Sequence, residues 1–279
     1  MPEGDSIHRL AIRLSPLVGK TVKALDVHSI PNAIAASVVG HSIVAVEARG
    51  KNLLIRFDDG RFLHVHLRML GRLGVERPRS TFWNPRRTSP QIRLEVEGLV
   101  VVGDRIPVLR LLEAGAVVRD PGLASLGPDL LLAPATGAAE AGESFDPGEC
   151  VARLRALSAR SIGEALLVQR ALAGIGNIFK SETLFVERID PRTPTRDVPD
   201  EALLRLVHTA SKLMRQNVRP GKRVTRSSLG GPRFWVYRRD GRPCLRCKEG
   251  PIVRILQGAT PGRSTYFCPS CQRVPEPAP

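Results

Sequence analysis

The sequence lacks any run of 18 apolar residues, and a membrane-spanning helix needs about that length. It also lacks the basic and then apolar opening segment of a secretory signal. These two absences predict a cytoplasmic protein that does not enter a membrane. In that reducing compartment we expect its five cysteines to be reduced or bound to a metal rather than paired in disulfides.

Acidic residues are scarce relative to basic ones. Asp and Glu number 27 against 42 Lys and Arg, which gives a net charge of +15 at pH 7. This excess favours a polyanionic partner, with nucleic acid first and an anionic membrane second. Most of the basic residues are arginines, which suit bidentate contacts with phosphate. The competing interpretation is a GC-rich genome that has replaced lysine by arginine on an ordinary surface.

The first 120 residues have the pattern of a helix followed by an antiparallel β-domain. Apolar residues recur at helical spacing over 5–18, where Asp5 or Ser6 can cap the helix. From 21 to 119 the period changes to two, and Asp58-Asp59-Gly60 and Glu97-Gly98 are typical hairpin turns. The predicted strands are VKALDVHSI, SIVAVEA, NLLIRF, RFLHVHL, QIRLEVEG and LVVVGD. Strands grouped in this way indicate a β-sandwich or barrel-like domain.

The remaining chain is predicted to be α-helical and then rich in short strands, which makes the fold class α+β. Residues 121–147 contain much Ala, Gly and Pro and are interpreted as a linker. Residues 148–232 form a helical domain, and 233–273 form short strands around four cysteines. Residues 274–279 are expected to be a disordered tail. The predicted helices are CVARLRALSA, SIGEALLVQRALAG, NIFKSETLFVERI and DEALLRLVHTASKLMRQNV.

Four cysteines form two pairs with the spacing of a zinc site. Cys244 and Cys247 make one CxxC pair, and Cys268 and Cys271 make a second one 20 residues further on. Two such turns supply four thiolates for a tetrahedral Zn²⁺. A four-sulfur site leaves no open position, so the ion is expected to be structural. Redox pairs or chance spacing remain alternatives, and Cys150 stands alone as a small helical residue.

Two segments are candidates for binding phosphate. Arg263 lies between the two cysteine pairs, at the tip of the expected zinc hairpin, and is either a phosphate clamp or a solvated loop residue. In the segment GIGN, Gly174 can end one helix in a left-handed conformation, and Asn177 lies where the next helix begins. Free backbone N–H groups at that helix start bind phosphate, and Lys180 adds charge one turn later. The alternative is an ordinary helical corner with Asn177 as its cap.

Four features in chain order together resemble the formamidopyrimidine-DNA glycosylase and endonuclease VIII family of base-excision repair enzymes. They are MPEG at the start, Gly50-Lys51 on a strand, GIGN in a helical domain and a four-cysteine finger. The opening MPEGDSIHR is more similar to the endonuclease VIII branch. The resemblance implies an N-terminal β-sandwich with a leading helix, then a helix–two-turn–helix domain and a zinc finger. It also implies a bacterial, nucleoid-associated monomer that binds double-stranded DNA containing damaged bases or abasic sites.

The resemblance assigns catalysis to three residues. Met1 is removed, and Pro2 becomes the nucleophile. An α-amino group has a pKa of about 7.7–8.0, so part of it is neutral at physiological pH. Glu3 is the expected general acid and base, and Lys51 contacts the lesion's backbone and helps the base to leave. Without the resemblance, Glu3 is a surface carboxylate at a helix start, and Lys51 is a solvent-facing turn residue.

The resemblance also assigns a DNA wedge and reveals one departure from the family pattern. An enzyme that flips a base out of a duplex must fill the gap, and Met69, with Arg68 and Leu70 beside it, lies in the family's wedge loop. The alternative for Met69 is a buried strand residue. Family members usually carry a second glutamate at position 6, where this chain has Ser6. Residues 224–234 occupy the place of a base-capping loop.

The sequence leads to one leading hypothesis and three alternatives. The leading hypothesis is a bifunctional DNA glycosylase and abasic-site lyase that removes oxidised pyrimidines by β,δ-elimination. The same chemistry on oxidised purines is the first alternative. A non-catalytic DNA-binding protein is the second, because the positive charge needs no nucleophile. A zinc hydrolase is the weakest, because four cysteines close the metal site.

Overall fold

The computed structural model describes residues 2–76, 90–134, 144–226 and 230–273. The chain divides into two compact units, 1–125 and 126–279. Among the described residues, no helix combines the length and the apolar character that crossing a bilayer requires.

The first unit is mainly antiparallel β-structure, and its elements follow the predicted change of period. Two strands, β5 and β8, and three short helices add to the predicted set. The elements are α1 (Gly4–Leu14), a 3₁₀ turn (Ser15–Leu17), β1 (Val22–Val27), α2 (Asn32–Ala36), β2 (Ile43–Arg49), β3 (Asn52–Phe57), β4 (Phe62–His66), β5 (Arg72–Glu76), β6 (Ile92–Val96), β7 (Leu99–Asp104), β8 (Val108–Leu112), α3 (Ala116–Arg119) and α4 (Pro121–Ala124).

Two four-stranded antiparallel sheets enclose the first core. Their strand orders are β1-β6-β7-β5 and β2-β3-β4-β8. Side chains from both sheets and from α1 form one continuous buried cluster, which includes Leu14, Leu25, Ile55, Val65 and Leu94. Alternation along each strand sends every second side chain into this cluster. The expected sandwich with a leading helix is therefore confirmed.

The hairpin turns are confirmed, and the start of the first helix differs from the prediction. Val96 pairs directly with Leu99, so Glu97-Gly98 is a two-residue turn, and Gly98 has a φ of 72°. Helix α1 begins at Gly4, one residue earlier than predicted. Glu3 is its N-cap residue, and it caps through its backbone carbonyl, not through a side chain as expected for Asp5 or Ser6.

The second unit is helical and ends in a β-hairpin. Its larger core includes Leu130, Leu154, Phe179 and Leu206, and a smaller cluster surrounds Cys244 and Cys268. The elements are β9 (Ala133–Pro134), β10 (Ser144–Phe145), α5 (Pro147–Arg155), α6 (Ile162–Ala165), α7 (Asn177–Val186), a 3₁₀ turn (Thr195–Asp197), α8 (Asp200–Gln216), β11 (Val253–Gln257) and β12 (Arg263–Phe267).

One predicted helix is wrong over most of its length. The segment 161–174 has helical spacing, but α6 ends at Ala165 and the chain continues in turns. The side chain of Gln169 explains the departure. It donates to the carbonyl of Ile175 and accepts the N–H of Gly174, each about 3 Å away, and thus binds backbone groups outside any helix.

The predicted linker, 121–147, is only partly described. Pro121–Ala124 is helical, and Leu130, Leu131 and Phe145 are buried in the second core. These apolar residues therefore belong to a folded unit, which the Ala, Gly and Pro content of the segment does not indicate. Residues 135–143 and the predicted tail, 274–279, lie outside the described residues.

Candidate active site and nucleic-acid interface

The start of the chain holds a buried carboxylate at the head of α1. The carbonyl of Glu3 accepts the N–H of Ser6 at 2.9 Å and that of Ile7 at 3.3 Å, which fixes this residue to the helix. Its side chain is fully buried, and Pro2 beside it is half-buried. Glu3 is therefore not the surface carboxylate of the alternative interpretation.

A second buried carboxylate lies beside the departure at position 6. Asp5 is fully buried, and its Oδ2 lies 3.4 Å from Nη2 of Arg9. The hydroxyl of Ser6 donates to Asp5 Oδ1 at 3.4 Å. The sequence pattern predicts only a capping role for Asp5. The spacing of four between Asp5 and Arg9 was the available signal, because such pairs share a helix face.

Lys51 occupies a two-residue turn between β2 and β3. Arg49 pairs with Asn52 across this turn, and Gly50 takes a φ of +58°, a conformation that favours glycine. Lys51 is half-buried. Burial lowers the pKa of His66, and the charges of Arg68 and Lys51 lower it further. Leu53 pairs with Val65, so the turn that carries Lys51 lies near the end of β4, where the predicted wedge loop begins.

The loop after β4 is a tight turn that presents two apolar side chains to solvent. Gly71 donates its N–H to the carbonyl of Leu67 at 2.9 Å, and a Cβ at Gly71 would lie only 2.6 Å from that oxygen. The exposed fractions of Met69 and Leu70 are 62% and 65%. Arg68 is also exposed and has a φ of 45°. Met69 is therefore not a buried strand residue.

Helix α7 begins at the predicted residue. Gly176 is its N-cap in an extended conformation, Asn177 is its first residue, and Gly174 before it has a φ of 96°. Asn177 is half-buried. An N-terminus of this kind offers backbone N–H groups and the positive end of the helix dipole to an anion.

Lys180 does not lie on the surface that sequence analysis expects. It is fully buried, and its Nζ donates to Oγ1 of Thr265 in β12 at 2.6 Å. That hydroxyl in turn donates to Oε1 of Gln257 at 2.6 Å. One turn of helix places Lys180 on the inner face of α7, so its ammonium joins the helix to the hairpin. A direct phosphate contact by Lys180 has no support in this geometry.

Arg263 lies at the exposed start of β12, opposite Gln257 in the hairpin register. Two residues later in the same strand is Thr265, the partner of Lys180. Tyr266 also donates its N–H to Oγ of Ser181 at 3.2 Å. The hairpin that carries Arg263 is thus bonded to the first turns of the helix that begins at Asn177.

The four predicted cysteines come together at one point. The Sγ atoms of Cys244 and Cys271 are 3.8 Å apart, those of Cys247 and Cys268 are 3.7 Å apart, and all four lie within 4.8 Å of one another. A disulfide needs about 2.05 Å between sulfurs. Ligands about 2.3 Å from a central ion lie about 3.8 Å apart on the edges of a tetrahedron. The cluster therefore fits a metal ion in tetrahedral coordination.

Burial, the neighbouring sulfurs and the backbone shift the pKa values of these thiols. Burial and the neighbouring sulfurs raise the pKa of Cys271 to about 12. Burial likewise raises the pKa of Cys268, whereas a backbone hydrogen bond at Glu249 lowers that of Cys247 to about 7. A metal ion that binds here displaces the thiol protons.

The predicted base-capping segment, 224–234, is anchored at both ends on one carboxylate. Glu182 in α7 is fully buried and accepts the hydroxyl of Thr225. It also accepts the backbone N–H groups of Trp235, Val236 and Tyr237 at 2.8–2.9 Å. Residues 227–229 lie outside the described residues. Sequence reasoning missed Glu182, because its partners lie more than 40 residues away in the chain.

Two protein-family models match the chain. Residues 1–105 match the formamidopyrimidine-DNA glycosylase N-terminal domain, and residues 137–228 match the formamidopyrimidine-DNA glycosylase H2TH domain. The two matched segments fall in the two structural units.

Named relatives and a solved structure agree with these matches over the full length. A Streptomyces coelicolor protein named probable endonuclease 8 2 is 38% identical over all of this chain and 96% of its own. The Mycolicibacterium smegmatis DNA-(apurinic or apyrimidinic site) lyase Nei2 is 32% identical over 98% of this chain and 99% of its own. The Lactococcus lactis formamidopyrimidine-DNA glycosylase, bound to DNA containing an abasic site, has the same fold, with a TM-score of 0.77, 23% identity and coverage of 98% and 100%.

Proposed function

Because the chain belongs to the formamidopyrimidine-DNA glycosylase and endonuclease 8 family, we propose that it is a base-excision-repair DNA glycosylase and abasic-site lyase. The observation that carries this proposal is the placement of Pro2 next to the fully buried carboxylate of Glu3 at the head of α1. Its proposed substrates are oxidised bases in double-stranded DNA, pyrimidines first, and its place is with the bacterial chromosome.

The proposed reaction begins at the nitrogen of Pro2 after Met1 has been removed. The neutral secondary amine attacks C1′ of the damaged nucleotide, and a bond from nitrogen to C1′ replaces the glycosidic bond. The base leaves with its electron pair and takes a proton, and the amine loses its own proton. Glu3 is positioned to transfer protons in this step. The C1′–O4′ bond of the sugar ring then breaks and O4′ takes a proton, which turns this adduct into an iminium. The iminium is cationic and withdraws electrons from the sugar.

Strand cleavage follows from this electron withdrawal. Removal of a proton from C2′ expels the 3′ phosphate by β-elimination, and a second elimination expels the 5′ phosphate. Hydrolysis of the remaining iminium releases the sugar fragment and restores the amine. In this scheme Lys51 contacts the backbone of the lesion and assists departure of the base.

The DNA contacts are assigned to both units. Met69 inserts into the stack that the flipped base leaves, with Arg68 and Leu70 beside it. Asn177 and Arg263 bind phosphates. Exposure of Met69, Leu70 and Arg263 supports these roles.

We assign Zn²⁺ to the cysteine cluster. Cys244, Cys247, Cys268 and Cys271 hold it, and their separations suit its bond lengths. When bound, the ion supplies structure and no activated water, because four thiolates fill its coordination shell.

Borohydride trapping tests the proposed chemistry. Protein shown by mass spectrometry to begin at Pro2 is mixed with duplexes containing thymine glycol, dihydrouracil or 8-oxoguanine, and with abasic DNA. We expect a covalent complex whose DNA adduct maps to the N-terminal peptide. The same chain with its N-terminus acetylated is the matched control, and we expect it to give no adduct and no strand cleavage.

The outcomes separate the candidate functions. Faster excision of the two pyrimidine lesions supports the proposed preference, and faster excision of 8-oxoguanine supports the purine alternative. DNA binding without any adduct, by protein that begins at Pro2, contradicts the enzyme and leaves the non-catalytic DNA-binding protein.

A further inference from the structure

A chain of polar side chains crosses the second sheet on the face opposite the apolar core. It begins at the carbonyl of Arg49, passes through Asn52, His64 and Arg110, and ends at Asp120 before α4. His64 is 3% exposed, in the middle of the sheet, and lies directly opposite Arg110 in the register of β4 and β8.

The hydrogen bonds fix the tautomer of His64. An arginine can only donate, so Nη2 of Arg110, 2.9 Å away, makes Nδ1 of His64 an acceptor. Nε2 therefore carries the proton and donates to Oδ1 of Asn52, also at 2.9 Å. That bond orients the Asn52 amide, whose Nδ2 donates to the carbonyl of Arg49 at 3.2 Å. The three bonds from Arg110 to the carbonyl of Arg49 therefore run in one direction, each from a donor to an acceptor.

The far end of the series is anchored independently. Nη2 of Arg110 lies 2.9 Å from Oδ2 of Asp120. The other oxygen of Asp120 accepts the N–H groups of Gly122 and Leu123 at the start of α4. Arg110 is thus held between α4 and His64.

The near end of the series closes the turn that carries Lys51. Arg49 and Asn52 are the residues on either side of Gly50-Lys51, and the bond from Asn52 to Arg49 joins them. Gly50 tolerates several backbone conformations, so the turn depends on its flanks for a defined shape. His64 selects the orientation of the Asn52 amide that makes this bond.

We propose that His64 is a positioning residue, which acts through Asn52 to fix the Gly50-Lys51 turn and thereby the Lys51 ammonium. The expected effect on base release rests on the proposed function, whereas the expected effect on the shape of the turn does not. A displacement of about 1 Å at a catalytic group can cost up to about 100-fold in rate, so the position of the turn matters for base release.

The charges around His64 keep this arrangement intact over the physiological range. Burial and, to a smaller extent, the charge of Arg110 lower the pKa of His64 to about 4. Asp120 opposes that shift, and His66 on the same strand adds to it. The neutral ring, with its proton on Nε2, is therefore the working form above pH 5.

The first test is structural and needs no catalysis. Hydrogen–deuterium exchange at residues 49–52 is compared among the unaltered chain, His64→Leu and His64→Gln. A glutamine side chain has an NH₂ group that can donate and a carbonyl oxygen that can accept, so it can replace the donor and the acceptor of the neutral imidazole. We expect faster exchange in His64→Leu and near-normal exchange in His64→Gln. The ¹⁵N shifts of His64 should also show the proton on Nε2. Equal exchange in all three proteins would overturn the inference.

The second test separates base release from strand cleavage. Because Lys51 assists departure of the base, we expect His64→Leu to slow single-turnover excision of a lesion by about 10- to 100-fold. Cleavage of a preformed abasic site, which has already lost its base, should change by less than about threefold on the same reasoning. His64→Gln should restore excision. An equal loss of both activities, or none, contradicts the inference.

His208→Leu is the matched control, because His208 is exposed on α8 in the other unit. It should leave exchange at 49–52 and both activities unchanged. If the unaltered chain neither excises a lesion nor forms a covalent adduct, the proposed function fails, while the exchange measurement still decides the role of His64.

Discussion

In the loop after β4, two large apolar side chains face solvent, whereas in α7 a lysine is wholly buried. Met69 and Leu70 are more than 60% exposed, and Lys180 has no exposed surface. Both arrangements reverse the usual preference of these residue types. The difference separates two kinds of contribution. An exposed apolar side chain on a tight turn is available to a partner, and a buried ammonium with a bonded acceptor holds its own fold together.

This contrast predicts opposite effects on stability and on activity. Changes at buried polar groups and at the metal cluster should lower the unfolding free energy, whereas changes at exposed residues should alter DNA processing with little effect on that free energy.

The largest effect is expected at the cysteine cluster, because β12 leads directly from Thr265, the partner of Lys180, to Cys268. Structural zinc contributes on the order of 10 kcal/mol in small zinc domains. Removal of the ion by a chelator, or Cys268→Ser, should release the hairpin from α7 and abolish DNA binding. Thermal unfolding and release of one Zn²⁺ per chain to a chromophoric chelator would measure this. An unchanged unfolding temperature and full DNA affinity after metal removal would contradict the structural role assigned to the ion.

The next effect is the pH dependence that His64 imposes on stability. Its folded pKa of about 4 lies below the ordinary 6.5, so on acidification the unfolded chain takes up this proton first. The contribution of His64 to the unfolding free energy is therefore complete above pH 6.5. It is lost as the pH falls from 6.5 to 4, and the total loss is about 3 kcal/mol. Denaturant unfolding at several pH values would show it.

His64→Gln is the control for that prediction, since glutamine does not titrate. His66 also has a lowered pKa, because of burial, Arg68 and Lys51, and it contributes with the same sign in both proteins. The variant should therefore retain a shallower pH dependence. Identical slopes for the two proteins would contradict the assignment to His64.

A smaller effect is expected at the acceptor of Lys180. Thr265→Val keeps the shape of the side chain and removes the hydroxyl, which leaves the buried ammonium one partner short. Hydrogen bonds to charged groups contribute about 1.5–3 kcal/mol, so we expect the unfolding free energy to fall by about 2 kcal/mol. Urea denaturation measures the change.

The dependence of DNA affinity on salt concentration tests the same difference between buried and exposed basic residues. Lys180→Met should leave the slope of log affinity against log salt unchanged, because the buried ammonium does not meet phosphate. Arg263→Ala should make that slope shallower by about 1. A shallower slope for Lys180→Met would return Lys180 to the DNA contacts that sequence analysis expects.

The features that sequence analysis predicted depend on short-range pattern. Alternation over the strands, the turn at Gly98 and each CxxC pair involve neighbours within a few residues. Burial of Lys180 could not be predicted in this way, because Thr265 lies 85 residues away. The same holds for His64, whose partners come from β3 and β8. Periodicity also failed over 161–174, where the Gln169 side chain accepts the N–H of Gly174, a group that a continued helix would have used.

The smallest effect on stability, and a large one on activity, is expected at Met69. Because its side chain is 62% exposed, Met69→Ala should change the unfolding free energy by less than about 0.5 kcal/mol. The gap left by a flipped base costs a few kcal/mol per unstacked step, so excision from duplex DNA should slow by at least about tenfold. Excision from single-stranded DNA, where no stack must be filled, should change little. Single-turnover rates on both substrates measure the ratio, and Val118→Ala, at a 72% exposed apolar residue outside the loop, is the matched control. An equal loss of excision on duplex and single-stranded DNA would assign Met69 to the base pocket rather than to the stack.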